Sequence, residues 1–229
     1  MNGKTEDRDI PSPAHLFQRA IARRALLEAW ARVRDNGGAA GGDGQTLERF
    51  ATSAVAEIAT LHQELAAGTY RPRGLRNVDI PKDSGGQRRL SIPSVRDRVL
   101  QTAIANTLSP ILEGRFSDSS FGYRPGRSVQ QAVDRIAYLR RSGFDWVLDA
   151  DIEDFFDQVP HDPLIERLEA LLGPGPLPDL IADTLAFAEP GGKGLPQGSP
   201  LSPLLANLYL DKIDRAMAPR GAKLIRFAD

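Results

Sequence analysis

Apolar side chains recur at helical spacing over most of the chain and alternate with polar ones in only a few short stretches. Leu16, Ile21, Leu26, Leu27, Trp30 and Val33 predict a helix over 15–34, stopped by Asn36-Gly37-Gly38. Phe50, Val55, Ile58, Leu61 and Leu65 predict a second over 46–67, ending at Gly68. Val99, Leu100, Ala103, Ile104 and Leu108 place a third over 95–112, and a fourth covers 128–141. Further helices are predicted over 162–172, 179–188 and 202–217, the last with Ser202 and Pro203 as N-cap and first helical residue.

Two alternating runs, 75–82 and 87–93, flank Asp83-Ser84-Gly85-Gly86 and predict a β-hairpin. Residues 144–152 predict a strand with Trp146, Leu148, Ala150 and Ile152 on one face and Val147, Asp149 and Asp151 on the other. A last strand is predicted over 223–228. Residues 1–14 are polar and proline-punctuated, and disorder is expected there. Many helices with a few strands make the expected fold class α+β.

Composition narrows the chemistry. The 229 residues are 41% hydrophobic and 26% charged, ordinary for a soluble globular protein. No apolar run approaches the roughly 18 residues of a membrane helix, and the N-terminus lacks the apolar stretch of a signal peptide. The expectation is a cytoplasmic protein without a membrane partner. With no cysteine, disulfides, thiolate metal sites and cysteine nucleophiles are excluded. His15, His62 and His161 lie far apart without ligand spacing, which argues against a histidine metal site or a serine–histidine hydrolase.

The net charge of -1 hides an asymmetry. Residues 68–141 carry 14 basic and 6 acidic groups, whereas 142–229 carry 7 basic and 15 acidic. A basic middle reads as an anion surface, with nucleic acid the common large polyanion, or as a solvated face without a partner. The acidic end offers oxygen ligands for hard divalent cations. Asp149 and Asp151, followed by Glu153, Asp154 and Asp157, read as a magnesium site or as a strand end with solvated acids; spacing leaves the ligating carboxylate open.

The order of motifs is more specific. IPKDSGGQRRLSIPSVRDRVLQ precedes FSDSSFGYRPGRSVQQAV, then LDADIEDFFDQVPH, then GLPQGSPLSPLLANLYL, then LIRFAD. This series closely resembles the bacterial group II intron lineage of reverse transcriptases, which includes intron-encoded maturases and CRISPR-associated reverse transcriptases. The resemblance runs from about Leu26 to Asp229.

The resemblance implies a right-hand polymerase with helical fingers, a β-hairpin and a small antiparallel palm sheet. It implies fingers with an N-terminal extension over 15–142 and palm over 143–229. Asp151 looks like the first catalytic aspartate of the palm, with the Ile152 carbonyl as a further metal ligand. Asp229 looks like the first aspartate of the palm hairpin, with Phe227 in place of the usual tyrosine. Two Mg²⁺ ions, with Mn²⁺ as the alternative, would sit between them, activating a primer hydroxyl and steadying pyrophosphate. Lys82 and Arg88 at the fingertip, with Arg89 as the alternative to Arg88, match cations that close over a triphosphate. Phe155 and Phe156 flank the nucleotide: Phe156 matches an aromatic gate against a 2′-hydroxyl, and one of the two is expected in the core. Gln197 and Gly198 match the motif along the incoming nucleotide. Arg124 and Arg127 are expected to face template or the nucleotide pocket, or alternatively to be helix-entry residues that bond backbone carbonyls. Gly42-Asp43-Gly44 resembles a template-touching loop. His161 reads as a helix-start residue rather than a base.

The partners implied are an RNA template, a DNA or RNA primer and dNTPs. The resemblance places a second aspartate directly after Asp229 and a thumb beyond it, so a chain ending at Asp229 is expected to be an inactive or nearly inactive palm fragment. The competing reading is a non-catalytic, maturase-type RNA-binding module; a metal-dependent phosphohydrolase lacks an evident water-activating base.

Overall fold

The computed structural model describes residues 10–81, 85–217 and 223–229. The chain begins with α1 (Pro13–Ile21), where the Ser12 hydroxyl accepts from the His15 backbone N–H (3.3 Å) and Pro13 opens the helix. After Ala22, extended at ψ 136°, comes α2 (Arg23–Asn36). The predicted helix over 15–34 is therefore two helices. The buried set Leu16, Ala20 and Ile21 is followed by Leu26, Ala29, Trp30 and Val33, a phase slip that the break at Ala22 absorbs so that both stripes face the same helix. The second predicted helix also divides, into α3 (Leu47–Thr52) and α4 (Ala54–Ala66), at Ser53. That break turns Val55 out to solvent and leaves Ile58, Leu61 and Leu65 inside.

Strands β1 (Leu75–Pro81) and β2 (Gln87–Pro93) form an antiparallel hairpin, pairing Leu75 with Pro93 through Pro81 with Gln87. Gly85 and Gly86 supply the left-handed backbone of the turn, at φ +89° and +84°. Helix α5 (Val95–Glu113), capped by Ser94, is buried on nearly every side. It lies at the centre of the molecule, in contact with α1, α2 and α4. Helix α6 (Val129–Arg141) starts with a full capping box between Ser128 and Gln131. Only Ala132 of this helix is buried, and Val129, Val133 and Ile136 are exposed.

The last part holds α7 (Phe155–Gln158), α8 (His161–Leu172), α9 (Pro176–Ala188) and α10 (Ser202–Met217). Helix α9 packs on α1 and α8, and α10 on α8 and α5, so one apolar core extends from Leu16 to Leu210. Ser202 is not an N-cap: its hydroxyl donates to the Pro196 carbonyl (2.8 Å) and the residue is already helical.

The hairpin is the only multi-residue sheet among the described residues. The predicted strands over 144–152 and 223–228 do not form a palm sheet. Among the described residues, 144–152 form no strand pairing, and near the C-terminus a bridge joins Ser120 and Arg226. A strand owes its stability to cross-strand pairs, and no described segment supplies them to 144–152.

Candidate functional site

Three segments distant in sequence meet where the motifs predicted a site. The first follows Asp151. Asp151 and Ile152 are exposed, and Asp154, at φ +48°, turns the chain into α7. There Phe155 points inward at 5% exposure, against Phe156 (ring centroids 5.7 Å) and Tyr209 (6.3 Å). Phe155 is thus a core residue, not a nucleotide contact, because the tight turn presents only its neighbour outward. Phe156 is half-buried and meets the ring of Tyr123 edge-on at 6.2 Å.

The second segment is the loop 117–127. Arg124 does not face solvent. Its guanidinium donates to the Glu113 carboxylate (2.7 Å) and carbonyl and to the carbonyls of Ser117 and Ser120, and stacks over Phe116. Every N–H is used, by Glu113 at the end of α5 and by carbonyls of the loop, which is the carbonyl-bonding arrangement. Arg127 bonds Asp118 (2.8 Å), lies over Phe121 and remains partly accessible.

The third segment is the chain end. The Phe121 N–H donates to the Arg226 carbonyl (2.9 Å) and the Arg226 N–H to the Ser119 carbonyl (2.8 Å). Gly122 lies so close to Ala228 that a Cβ there would collide with the Ala228 nitrogen. Asp229 follows, half-buried. Through Gly122 and Tyr123 this end is joined to the segment that follows Asp151. Tyr123, Asp154 and Ala228 are the three non-glycine residues with left-handed backbone among the described residues, at φ +56°, +48° and +71°. Such conformations cost of order 1–3 kcal/mol each and cluster at functional sites; here one falls in each of the three segments.

The fingertip hairpin joins the same neighbourhood. The Arg88 Nε donates to Oε1 of Gln197, whose Nε2 donates to Asp157 (3.4 Å). The Ser91 N–H donates to the Gln197 carbonyl (2.7 Å), and the Leu195 N–H to the Phe156 carbonyl (2.6 Å). Gly198, at φ +118°, brings its backbone against β2, where a Cβ would stand 2.9 Å from the Ser91 oxygen. A polar cleft of about 360 Å³ opens between Arg89, Ser91, Asp157, Glu189 and Gln197. Burial, then the nearby Asp157 charge, raises the pKa of Glu189 above the usual carboxylate value.

Lys82 lies outside the described residues. His161 donates its backbone N–H to the Gly192 carbonyl (3.0 Å), and its buried Nε2 bonds the Gly194 carbonyl (2.8 Å), holding the start of α8 to the loop after α9. Asp43 accepts from the Gln45 N–H (3.1 Å) in its own turn. No group of three or more acidic, histidine or cysteine side chains gathers at one point among the described residues; the candidate set is two carboxylates and one carbonyl.

Residue-type reasoning did not find Asp157 as the partner of Gln197, nor Tyr123 as the contact of Phe156. The only local signal for Tyr123 is its place between a glycine and Arg-Pro, a turn context that admits a left-handed residue.

Residues 80–229 match the reverse transcriptase (RNA-dependent DNA polymerase) family. The chain belongs to that family. It is 32% identical over 191 residues to protein YkfC of Escherichia coli K12, covering 79% of this chain and 50% of the relative. It is 34% identical over 167 residues to the group II intron-encoded protein LtrA of Lactococcus lactis, covering 69% of this chain and 28% of LtrA. In three dimensions it is similar to a chain of a partial Cas6-RT-Cas1–Cas2 complex, with TM-score 0.58 and 35% identity, over 93% of this chain and 37% of that one. The chain thus spans half the length of YkfC and less of the others.

Proposed function

We propose that this chain carries the nucleotide-handling fingers and the first catalytic carboxylates of an RNA-directed DNA polymerase that extends a DNA or RNA primer with dNTPs on an RNA template. The observation that carries the reading is the convergence of the three segments, each held by a left-handed non-glycine residue, that bring the Asp229 end beside the chain following Asp151. Asp151, the Ile152 carbonyl and Asp229 would hold the metal. They offer only hard oxygen donors, which suits Mg²⁺ (or Mn²⁺) and not a soft-ligand metal. Held there, the metal would supply activation of a primer hydroxyl and charge neutralisation on the departing pyrophosphate.

The chain's own residues bind and orient. Arg88, on a hairpin and docked to Gln197, is placed to leave that amide for a triphosphate oxygen; charge-assisted bonds of this type are roughly twice as strong as neutral ones. Phe156, braced by Tyr123, presents a flat face beneath the sugar and excludes a 2′-hydroxyl. Arg127 and the exposed basic residues of 68–141 attract the template phosphates, a salt-sensitive attraction.

Primer extension on an RNA template tests this, using the chain alone and a version continued through the second hairpin aspartate and a thumb. Mg²⁺-dependent extension by either form, abolished by Asp151→Ala with RNA affinity retained, supports the reading. In the extending form Phe156→Ala narrows the preference for dNTP over NTP by about ten-fold or more, the range a shape-selective pocket supplies. RNA binding without extension in both forms, indifferent to Asp151→Ala, selects the RNA-binding module instead.

A further inference from the structure

Arg226 is enclosed by side chains from three places in the sequence. Its Nε and Nη2 fork onto the Asp214 carboxylate (2.9 and 2.8 Å), Nη2 also donates to the Ser120 hydroxyl (2.8 Å), and Nη1 donates to Asn207 Oδ1 (2.9 Å) and to the Ala228 carbonyl. The Asp214 side chain has no exposed surface. A buried ion pair generally adds little over an apolar pair of the same size, so what this one contributes is its geometry. Two of its elements are rigid: Asn207 and Asp214 stand two turns apart on α10. Ser120 lies on the loop that pairs with the chain end, and the fourth contact is with the carbonyl two residues further along its own chain. That bond and the close approach of Gly122 hold Ala228 in a left-handed conformation that a residue with a Cβ adopts only under constraint.

We infer that Arg226, oriented by Asp214, Asn207 and Ser120, is a positioning residue: it fixes the backbone from which the Asp229 carboxylate reaches the metal. The inference rests on the metal reading of Asp151 and Asp229 proposed above. It makes α10 and the loop at Ser120 part of the catalytic support, although neither carries a metal ligand.

Ferrous iron in place of Mg²⁺, with hydrogen peroxide as the oxidant it reduces to a cutting hydroxyl radical and ascorbate to return the ferric ion to ferrous, reads each carboxylate separately by local backbone cleavage and needs no polymerase activity. The unaltered chain is expected to be cut beside both 151 and 229. The double variant Arg226→Met/Asp214→Leu replaces the ion pair with apolar side chains and so avoids stranding a buried charge. It is expected to keep its circular dichroism and the cut beside 151, and to lose the cut beside 229 by about ten-fold, as for loss of an outer-shell support. Arg226→Lys keeps the charge opposite Asp214 but cannot fork to both carboxylate and carbonyl, and is expected to show the same selective loss. This variant decides the matter if the double variant fails to fold. Undiminished cutting beside 229 in the folded variants overturns the inference alone. Absence of cutting at both positions in the unaltered chain overturns the metal reading, and the inference with it.

Discussion

Residues 75–93 and residues 144–152 both alternate apolar and polar side chains, yet they end in opposite states. In the hairpin a glycine turn folds the second run back on the first, so each strand supplies the other's hydrogen bonds, and β2 is docked further by the Ser91 N–H on the Gln197 carbonyl. Residues 144–152 find no strand partner among the described residues: Trp146 is 95% exposed and Leu148 91%. The residues with greater cross-strand potential, a tryptophan and β-branched or aliphatic partners, are thus in the region without a strand. Alternation makes a segment ready to pair; only a partner within hydrogen-bond reach makes it a strand. The Asp151 segment is consequently fixed at its far end, by Asp154 and the α7 turn, and open along its length, which is how a carboxylate stays accessible beside a rigid core.

The largest effect that separates the regions is a core truncation. Leu100→Ala in α5, where the side chain is fully buried, is expected to cost about 2–5 kcal/mol in denaturant unfolding. A cost below 1 kcal/mol would mean that α5 is not the centre of the core.

Next comes the junction between the regions. Gly198→Ala adds a Cβ 2.9 Å from the Ser91 oxygen at φ +118°. A cost of about 1–3 kcal/mol is expected, with faster hydrogen exchange at the Ser91 amide as the loop lifts from β2. Unchanged exchange there would show that the hairpin and the glutamine–glycine loop are not joined in solution.

A third measurement sharpens the hairpin side through pH. The Tyr70 hydroxyl donates to the buried Asp97 carboxylate (2.7 Å). Burial first, then the Asp97 charge and that hydrogen bond, raise its pKa far above the ordinary 10.0. The folded state holds this proton more tightly than the unfolded chain. The contribution is therefore whole below the unfolded value and falls as pH climbs past it, by about 1.4 kcal/mol per pH unit. Tyr70→Phe should remove that share of the alkaline slope; an identical slope in both proteins would show the hydroxyl is not shielded.

The smallest effect completes the contrast. Leu148→Ala and Trp146→Ala are each expected to shift unfolding by no more than about 0.5 kcal/mol, as for ordinary surface sites. A cost for Leu148→Ala approaching that of Leu100→Ala would mean that the segment is packed in solution, and the contrast would fail.

Much of the site was legible because its signals are local. Glycine at 198 is demanded by its own φ and its neighbour's proximity, and the order of motifs gave Arg88, Gln197 and Phe156 as one neighbourhood, which the Arg88–Gln197 bond and the Leu195 N–H on the Phe156 carbonyl join. The choice between adjacent look-alikes was not legible. Phe155 and Phe156 are chemically identical, and the turn at Asp154 alone decides which enters the core. Arg124 and Arg127 share a motif, but only the backbone path around Glu113 shows that the first has no N–H to spare. Lys82 belongs to the predicted fingertip but lies outside the described residues.

Sequence by itself determined the helices, the hairpin, the α+β class and the family, because helical periodicity, turn chemistry and motif order are properties of contiguous residues. Tertiary structure alone decided the breaks at Ala22 and Ser53, the unpaired state of 144–152, the burial of Arg124 and the clasp of Arg226 by Asp214 and Asn207. Each of those depends on which segment lies alongside, and a side chain's hydrogen bonds and burial are set through space, by residues that spacing along the chain does not reveal.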